Sequence, residues 1–326
     1  MLVLSKQDIQ TALPMRDAIE AMKRAFKQLY LGKATVPARI HIDVPEHNGT
    51  TLFMPGYLNE DKNIAVKIVS VFADNPEKNL PVINAIVVII DAETGIAQAI
   101  LDGTCLTAIR TGAAAGAATD FLAREDASRA AIFGAGPQGC SQLEAMCAVR
   151  PIRQVWVFDI SPEASQSFAR EMAQKTAATI QVARNPSEAV ANADIICTAT
   201  NSAHPVFNDR DIRPGTHINA VGVYKPHMRE VPADTVKRAR IVVDSRQASM
   251  EEAGDLLLPI KQGIITQEHI YAELGEVVAG TKPGRTSEEE ITLFKSVGIA
   301  VQDAAAASAV LTKAENLNLG SRIELG

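Results

Sequence analysis

Apolar residues at Met15, Ala18, Ile19, Met22, Phe26 and Leu29 recur at three- and four-residue intervals, a spacing that paints one face of a helix. Pro14 precedes the run and Gly32 follows it, so an amphipathic helix is expected between them. From there to Leu101 the pattern changes to short β-branched runs at 38–44, 50–54, 64–72 and 83–91, separated by Pro, Gly and Asn. These read as strands, with 91–95 as a turn into another. The first hundred residues thus predict a helix and a mostly antiparallel sheet. Residues 104–122, rich in Ala and Thr with two internal glycines, suit a closely packed helix.

Beyond that helix, strands alternate with helices. Strands are expected at 130–133, 154–158, 180–182, 194–198, 217–221 and 241–243, and helices at 137–149 and 162–175. Such alternation implies a parallel, doubly wound sheet. The last helical pattern covers 288–313, with Ile291, Phe294, Val297 and Val301 at helical spacing. A helix of that length could leave the second domain and pack back on the first. The fold class expected is therefore α/β: a dinucleotide-binding Rossmann domain at 119–304, inserted in an α/β substrate-binding and dimerisation domain made of 1–118 and 305–326.

Composition narrows the partners. With 32 basic against 38 acidic residues the net charge is −6, which disfavours a nucleic-acid partner. Aromatic residues at 4% leave little material for base stacking. The longest apolar stretch, 85–90, is strand length, so no membrane span is expected. Met1–Lys6 is too short an apolar run for a signal peptide. The four cysteines, Cys105, Cys140, Cys147 and Cys197, form no CxxC pair, which fits a reducing cytoplasm. The histidines have no metal-ligand spacing, and no metal site is expected.

Gly134-Ala135-Gly136-Pro137-Gln138-Gly139 is a GxGxxG sequence between a predicted strand and a predicted helix. In that setting the first glycine makes the tight turn, the second lets the backbone approach a pyrophosphate, and the third lets helix meet sheet. Asp159 ends the next strand, where a carboxylate can accept from ribose hydroxyls and repel a 2′-phosphate. NAD(H) is favoured, with NADP(H) left open. Thr198, Thr200 and Gly222 fall at carboxyl ends of parallel strands, where ligands bind; they read equally well as ordinary loop residues. Three cations in the N-terminal half are candidates for holding an anionic substrate: Arg39, Lys67 and Arg110. Lys67 is flanked by apolar residues within a strand pattern, so it is costly unless paired or directed into a site. Arg39 and Arg110 read equally as salt-bridged or snorkelling residues.

The stretch 101–114, LDGTCLTAIRTGAA, followed by 133–139, FGAGPQG, closely resembles the ornithine cyclodeaminase/mu-crystallin family. The resemblance extends from the opening helix through Phe53-Met54-Pro55 to Ser296-Val297-Gly298. It implies a homodimer whose N-terminal domain, completed by the final helix, binds substrate and forms the subunit interface. It also places Arg39, Lys67 and Arg110 on substrate-carboxylate positions, and Thr111, Thr198, Val221 and Ser296 on or near cofactor-contacting ones. The sequence departs from the cyclodeaminase pattern at two acidic positions. Tyr224 stands where those enzymes have an acid after Val-Gly, and apolar Leu52 or Phe53 stands before the Met-Pro pair. The expected partners of a cationic side-chain amine are thereby lost. What remains suits the family's reductase branch: hydride transfer to the C=N carbon of a small anionic imino acid such as Δ1-pyrroline-2-carboxylate or Δ1-piperideine-2-carboxylate. Lys67 is expected nearest the reacting centre, with Tyr224 or water as other proton donors. The alternatives are an alanine dehydrogenase, an ornithine cyclodeaminase, and a non-catalytic binding protein like mu-crystallin.

Overall fold

The computed structural model describes residues 1–324 and divides into two compact units, one of residues 1–110 with the chain end from Ile299, the other Thr111–Gly298. Both boundaries fall earlier in the chain than the sequence pattern placed them. The chain opens with β1 (Leu2–Leu4), α1 (Lys6–Ala12), α2 (Met15–Tyr30), β2 (Ala34–Thr35) and β3 (Ile40–Val44). The strands β4 (Gly49–Leu58), β5 (Asn63–Phe72), β6 (Ile83–Asp91) and β7 (Ala97–Asp102) precede α3 (Gly103–Leu122), within which the first boundary lies. There follow β8 (Arg129–Phe133), α4 (Pro137–Val149), β9 (Gln154–Phe158), α5 (Pro162–Lys175), β10 (Thr179–Val182), α6 (Pro186–Val190) and β11 (Ile195–Thr198). Next come β12 (His217–Ala220), α7 (Ala233–Arg238), β13 (Arg240–Val243), α8 (Arg246–Glu252), α9 (Gly254–Lys261), β14 (Ile270–Glu273) and α10 (Leu274–Val278). The chain ends with β15 (Thr292–Lys295), α11 (Ala300–Leu317) and β16 (Ser321–Arg322).

In the first unit one sheet runs β16-β1-β7-β6-β5-β4-β2, with β3 also paired to β4. All pairings are antiparallel except β1 with β7. The strands alternate as a half-buried sheet should: Leu52, Met54, Leu58, Ala65, Val87 and Ile89 are buried, while their neighbours are partly exposed. Helix α11 packs on the buried face of β4, β5 and β6, and α2 packs against α11. The buried stripe of α2, from Ala18 and Ile19 to Met22 and Phe26, is the one its spacing predicts. Strand β4 is twice as long as the 50–54 pattern, because Pro55 and Gly56 read as breakers. Pro55 is tolerated there: β5 pairs one side of β4 throughout, whereas on the other side β3 reaches Phe53 and β2 begins at Tyr57. Helix α1 has no long apolar stripe, but Ser5 and Asp8 form a capping box at its start.

In the second unit the sheet runs β10-β9-β8-β11-β12-β15-β13-β14 and every pairing is parallel. The strand order reverses direction at β8, between β9 and β11, which is where open α/β sheets bind ligands. The expected helix over 288–313 is a correction. Residues Thr292–Lys295 form a fully buried strand between β12 and β13, and the helix begins only at Ala300. Ile291, Phe294 and Val297 fall at helical spacing, but the strand is buried on both faces and buries Thr292 and Lys295 as well, so that spacing marks no helical face. Gly298, at φ +79°, makes the turn between strand and helix.

Candidate active site

In the first unit three charged groups meet. Lys67, on β5, donates from Nζ to Asp303 Oδ2 at 2.7 Å, and Arg110, on α3, donates from Nε to Asp303 Oδ1 at 3.0 Å. Arg110 Nη1 also donates to Gln302 Oε1 at 2.5 Å. Lys67, Arg110 and Asp303 are 2%, 5% and 1% exposed, so this is a desolvated cluster and not a surface ion pair. Burial first, and then the Arg110 charge, push the Lys67 ammonium down from 10.5 to about 8; Asp303 opposes the shift and Arg39 adds to it. The charge of half-buried Arg39 acts on the same ammonium. Of the two alternatives for Arg110, its burial excludes a snorkelling surface residue, and its pairing with Asp303 is the salt bridge.

The apolar surroundings of this cluster are equally specific. Met54 pairs with Lys67 across β4 and β5, and Leu52, two residues along the strand, shares that face. Leu52, Met54 and Ala300 form a small cluster with Val36 and Val69 against it. Phe53 points to the opposite face, so Leu52 is the residue beside the lysine, and it is apolar. Gln302 completes the group. Its Oε1 also accepts from the Ile299 N–H at 3.2 Å, while its buried Nε2 has no hydrogen-bond partner among the described residues.

The second unit builds a turn suited to an anion. Gly134 has φ +98°, and a Cβ there would lie 2.5 Å from the Ala199 carbonyl oxygen, so no other residue fits. A Cβ on Gly139 would collide with the Gly134 carbonyl oxygen, whereas one on Gly136 would meet nothing within 4 Å. The middle glycine thus borders the open space that a phosphate needs, and a Cβ would fill it. Pro137 opens α4 with Gly136 at the N-cap and no side-chain cap, leaving first-turn N–H groups for an anion. Ala135 and the half-buried Gln138 complete the turn. Asp159 Oδ2 accepts from the Ala135 N–H at 2.8 Å and Oδ1 from the Ser161 N–H at 2.9 Å. The carboxylate at the end of β9 is therefore tied to the turn, with lone pairs left for a ribose. The next residue, Ile160, is 94% exposed and offers no cation to a 2′-phosphate.

The remaining sequence-predicted positions divide. Thr198 ends β11 fully buried, with a hydroxyl that has no partner among the described residues. Thr111 is buried, and its carbonyl accepts from Gln142 Nε2. Val221 is half-buried and donates its N–H to the Thr198 carbonyl. The Thr200 hydroxyl and the Gly222 N–H are spent on Glu230, and the Ser296 hydroxyl on Asp244 at 2.7 Å. Tyr224 is 39% exposed just beyond these loops. Sequence reasoning missed Asp303, Gln302, Glu230 and Asp244. For Asp303 a signal existed, since an acid within the apolar stretch 299–307 poses the same desolvation question as Lys67.

The model of the ornithine cyclodeaminase/mu-crystallin family matches residues 1–318. The chain belongs to this family. Among its relatives, a Delta(1)-pyrroline-2-carboxylate reductase of Bacillus cereus is 38% identical over 325 residues, covering 99% of this chain and 100% of that protein. The alanine dehydrogenase of Archaeoglobus fulgidus is 35% identical over 323 residues, covering 99% and 98%. Among solved structures, that of Thermococcus litoralis Delta(1)-pyrroline-2-carboxylate reductase in complex with NADH and L-proline is 44% identical. It covers 99% of this chain and all of that one, with a TM-score of 0.96. The family includes NAD-binding enzymes of the α/β fold described above. Among the described residues no helix is long and apolar enough to cross a membrane.

Proposed function

We propose that the protein is an NAD(H)-dependent reductase of cyclic imine carboxylates, converting Δ1-pyrroline-2-carboxylate or its six-membered homologue to the cyclic amino acid. The observation that carries this reading is the buried Lys67–Asp303–Arg110 cluster beside an apolar wall. Its cations outnumber its acid, which suits a carboxylate, and Leu52 and Met54 suit a hydrocarbon ring. Nothing in that wall matches a charged side-chain amine, which disfavours cyclodeamination. The identity to pyrroline-2-carboxylate reductases over nearly the whole chain supports the same substrate class.

In the proposed mechanism Arg39 and Arg110 hold the carboxylate and fix the ring. Residues 134–139, Asp159 and Thr198 would hold the dinucleotide, which when bound would supply a hydride for the imine carbon. Lys67 delivers a proton to the imine nitrogen, so the C=N bond becomes C–H and N–H. Its lowered proton affinity suits this task near neutral pH. Asp303 orients the ammonium and draws the next proton back to it. Domain roles follow: the first unit binds substrate, and the second binds the dinucleotide.

A homodimer is part of this reading. The sheet face turned away from α11 presents Phe53, Pro55, Val66, Ile68, Ile86 and Val88, in register across β4, β5 and β6. An apolar face of that breadth on one chain calls for a partner, and a second copy is the partner proposed.

The decisive assay follows NADH oxidation with Δ1-pyrroline-2-carboxylate and, separately, with pyruvate plus ammonium. Turnover of the imine is expected. No imine turnover beside robust pyruvate amination would move the protein to the alanine dehydrogenases.

A further inference from the structure

Glu230 is fully buried, and its carboxylate receives four donors. Oε1 accepts from the Thr200 N–H and hydroxyl, both at 2.7 Å, and Oε2 from the N–H groups of Gly222 at 2.9 Å and Val223 at 3.1 Å. Thr200 lies just beyond β11, and Gly222 and Val223 just beyond β12. One side chain therefore ties together two loops at the carboxyl ends of neighbouring strands.

A second layer holds the glutamate. Asp255 Oδ1 accepts from the N–H groups of Glu230 at 2.7 Å and Val231 at 2.9 Å, and its Oδ2 pairs with Lys295 Nζ at 2.8 Å. Lys295 Nζ donates in turn to the Val223 carbonyl at 2.6 Å, so Val223 is held at both of its backbone groups. The packing is equally tight. A Cβ on Gly222 would collide with the Thr200 backbone and lie 2.6 Å from Glu230 Oε1. The Ala199 carbonyl beside Thr200 is the atom against which Gly134 packs. Glu230 is thus linked, through one short segment, to the glycine-rich turn.

Burial and the Asp255 carboxylate push Glu230 above the ordinary carboxylate range, while Lys295 and the Thr200 donors oppose that shift. Two acids and a lysine, each without exposure, are costly for stability alone, since apolar residues of similar volume commonly serve a fold as well or better. The arrangement is explained by what it fixes.

We propose that Glu230 is a positioning residue for the dinucleotide. Its carboxylate holds the loops after β11 and β12 in the arrangement against which the glycine-rich turn receives the cofactor. This rests on the proposed dinucleotide-dependent reading. The test is Glu230→Gln in the full-length protein, with NADH binding followed by fluorescence titration. Glutamine keeps the shape but turns an NH2 toward one pair of donors, releasing one loop. The expected result is an NADH Kd weakened about tenfold or more, with the KM for NADH raised more than the KM for the imine, in a protein with the parent circular dichroism spectrum. A role in folding alone would lower Tm and leave the Kd, measured well below Tm, within about twofold of the parent; that result overturns the proposal. Should Glu230→Gln not fold, Asp255→Asn decides by the same criterion, because it keeps an acceptor for the Glu230 N–H and loses only the Lys295 pair. If the unmodified protein does not bind NADH, the functional reading fails together with this proposal, and the parent titration alone identifies that case.

Discussion

Replacing Lys67 by methionine removes the ammonium and keeps most of the stem. The fall of its pKa from 10.5 to about 8 corresponds, at about 1.4 kcal/mol per pH unit, to roughly 3 kcal/mol spent on keeping the charge buried. Lys67→Met relieves that cost, in which the attraction of Asp303 is already counted, and leaves Asp303 paired with Arg110. The variant should therefore fold at least as stably as the parent at neutral pH. Activity should not be spared. Loss of a positioned proton donor lowers kcat/KM for the imine by about 10²–10⁴-fold, while the NADH Kd should stay within about twofold, since Lys67 takes no part in the glycine-rich turn.

The pH dependence supplies the check. Imine reduction needs the ammonium, so the parent rate should hold below about 8 and fall about tenfold per pH unit above it; the variant should lose that limb. Stability should show the opposite trend. Below about 8 both folded and unfolded chains carry the proton, and the fold bears the whole cost. Between about 8 and 10.5 the unfolded chain alone keeps it, so parent stability rises with pH through that window. Equal loss of activity and of NADH affinity, or a surviving limb near pH 8 in Lys67→Met, would refute the assignment of Lys67 as donor.

Asp303→Asn removes the group that holds the Lys67 pKa up, so the high-pH limb of kcat/KM should move below 8; an unmoved limb counts against the pair. Asp159→Ser should weaken NADH binding, since the Ala135 N–H loses its acceptor, and narrow the NADH to NADPH preference. Adding Ile160→Arg should favour NADPH further, and an unchanged ratio in both variants would mean the carboxylate does not face the ribose. Val66→Lys, at the centre of the apolar sheet face, should give a monomer by light scattering; a retained dimer would exclude that face as the interface.

The second unit was largely legible because its signals are local. Each strand is a short apolar run, each helix is separated from it by turn residues, and the glycines of the 134–139 sequence mark a tight turn whose first member has a positive φ that favours glycine. In the first unit the alternation of β4 to β6 also showed, and with it Lys67 as an ion among apolar neighbours. What did not show is pairing at a distance. Lys67 and Asp303 are 236 residues apart, and no local pattern reports which acid faces which cation. The same holds for Glu230, whose donors come from the ends of two strands. The 288–313 segment misled because Ile291, Phe294 and Val297 satisfy a helical period by coincidence, in a stretch buried on every side.

An acid at the centre of an anion site looks self-defeating until the charges are followed through the reaction. Without Asp303, Arg110 and Lys67 would face each other unscreened, and the ammonium would lose its proton at lower pH. With it, Lys67 remains protonated up to about 8. On the proposed reading the cluster, with Arg39, carries a surplus of two positive charges, and the substrate carboxylate cancels one. That added negative charge stabilises the ammonium further, so the bound complex should hold its proton to higher pH than the free enzyme does. After Lys67 gives its proton to the imine nitrogen, the cluster and the carboxylate together are neutral, and the product is held less strongly than the substrate was. The order of two pH limbs tests this directly. The limb in kcat, which reports the complex, should lie above the limb in kcat/KM, which reports the free enzyme. The reverse order would mean that the substrate carboxylate binds away from Lys67, and that the ammonium serves the scaffold and not the reaction.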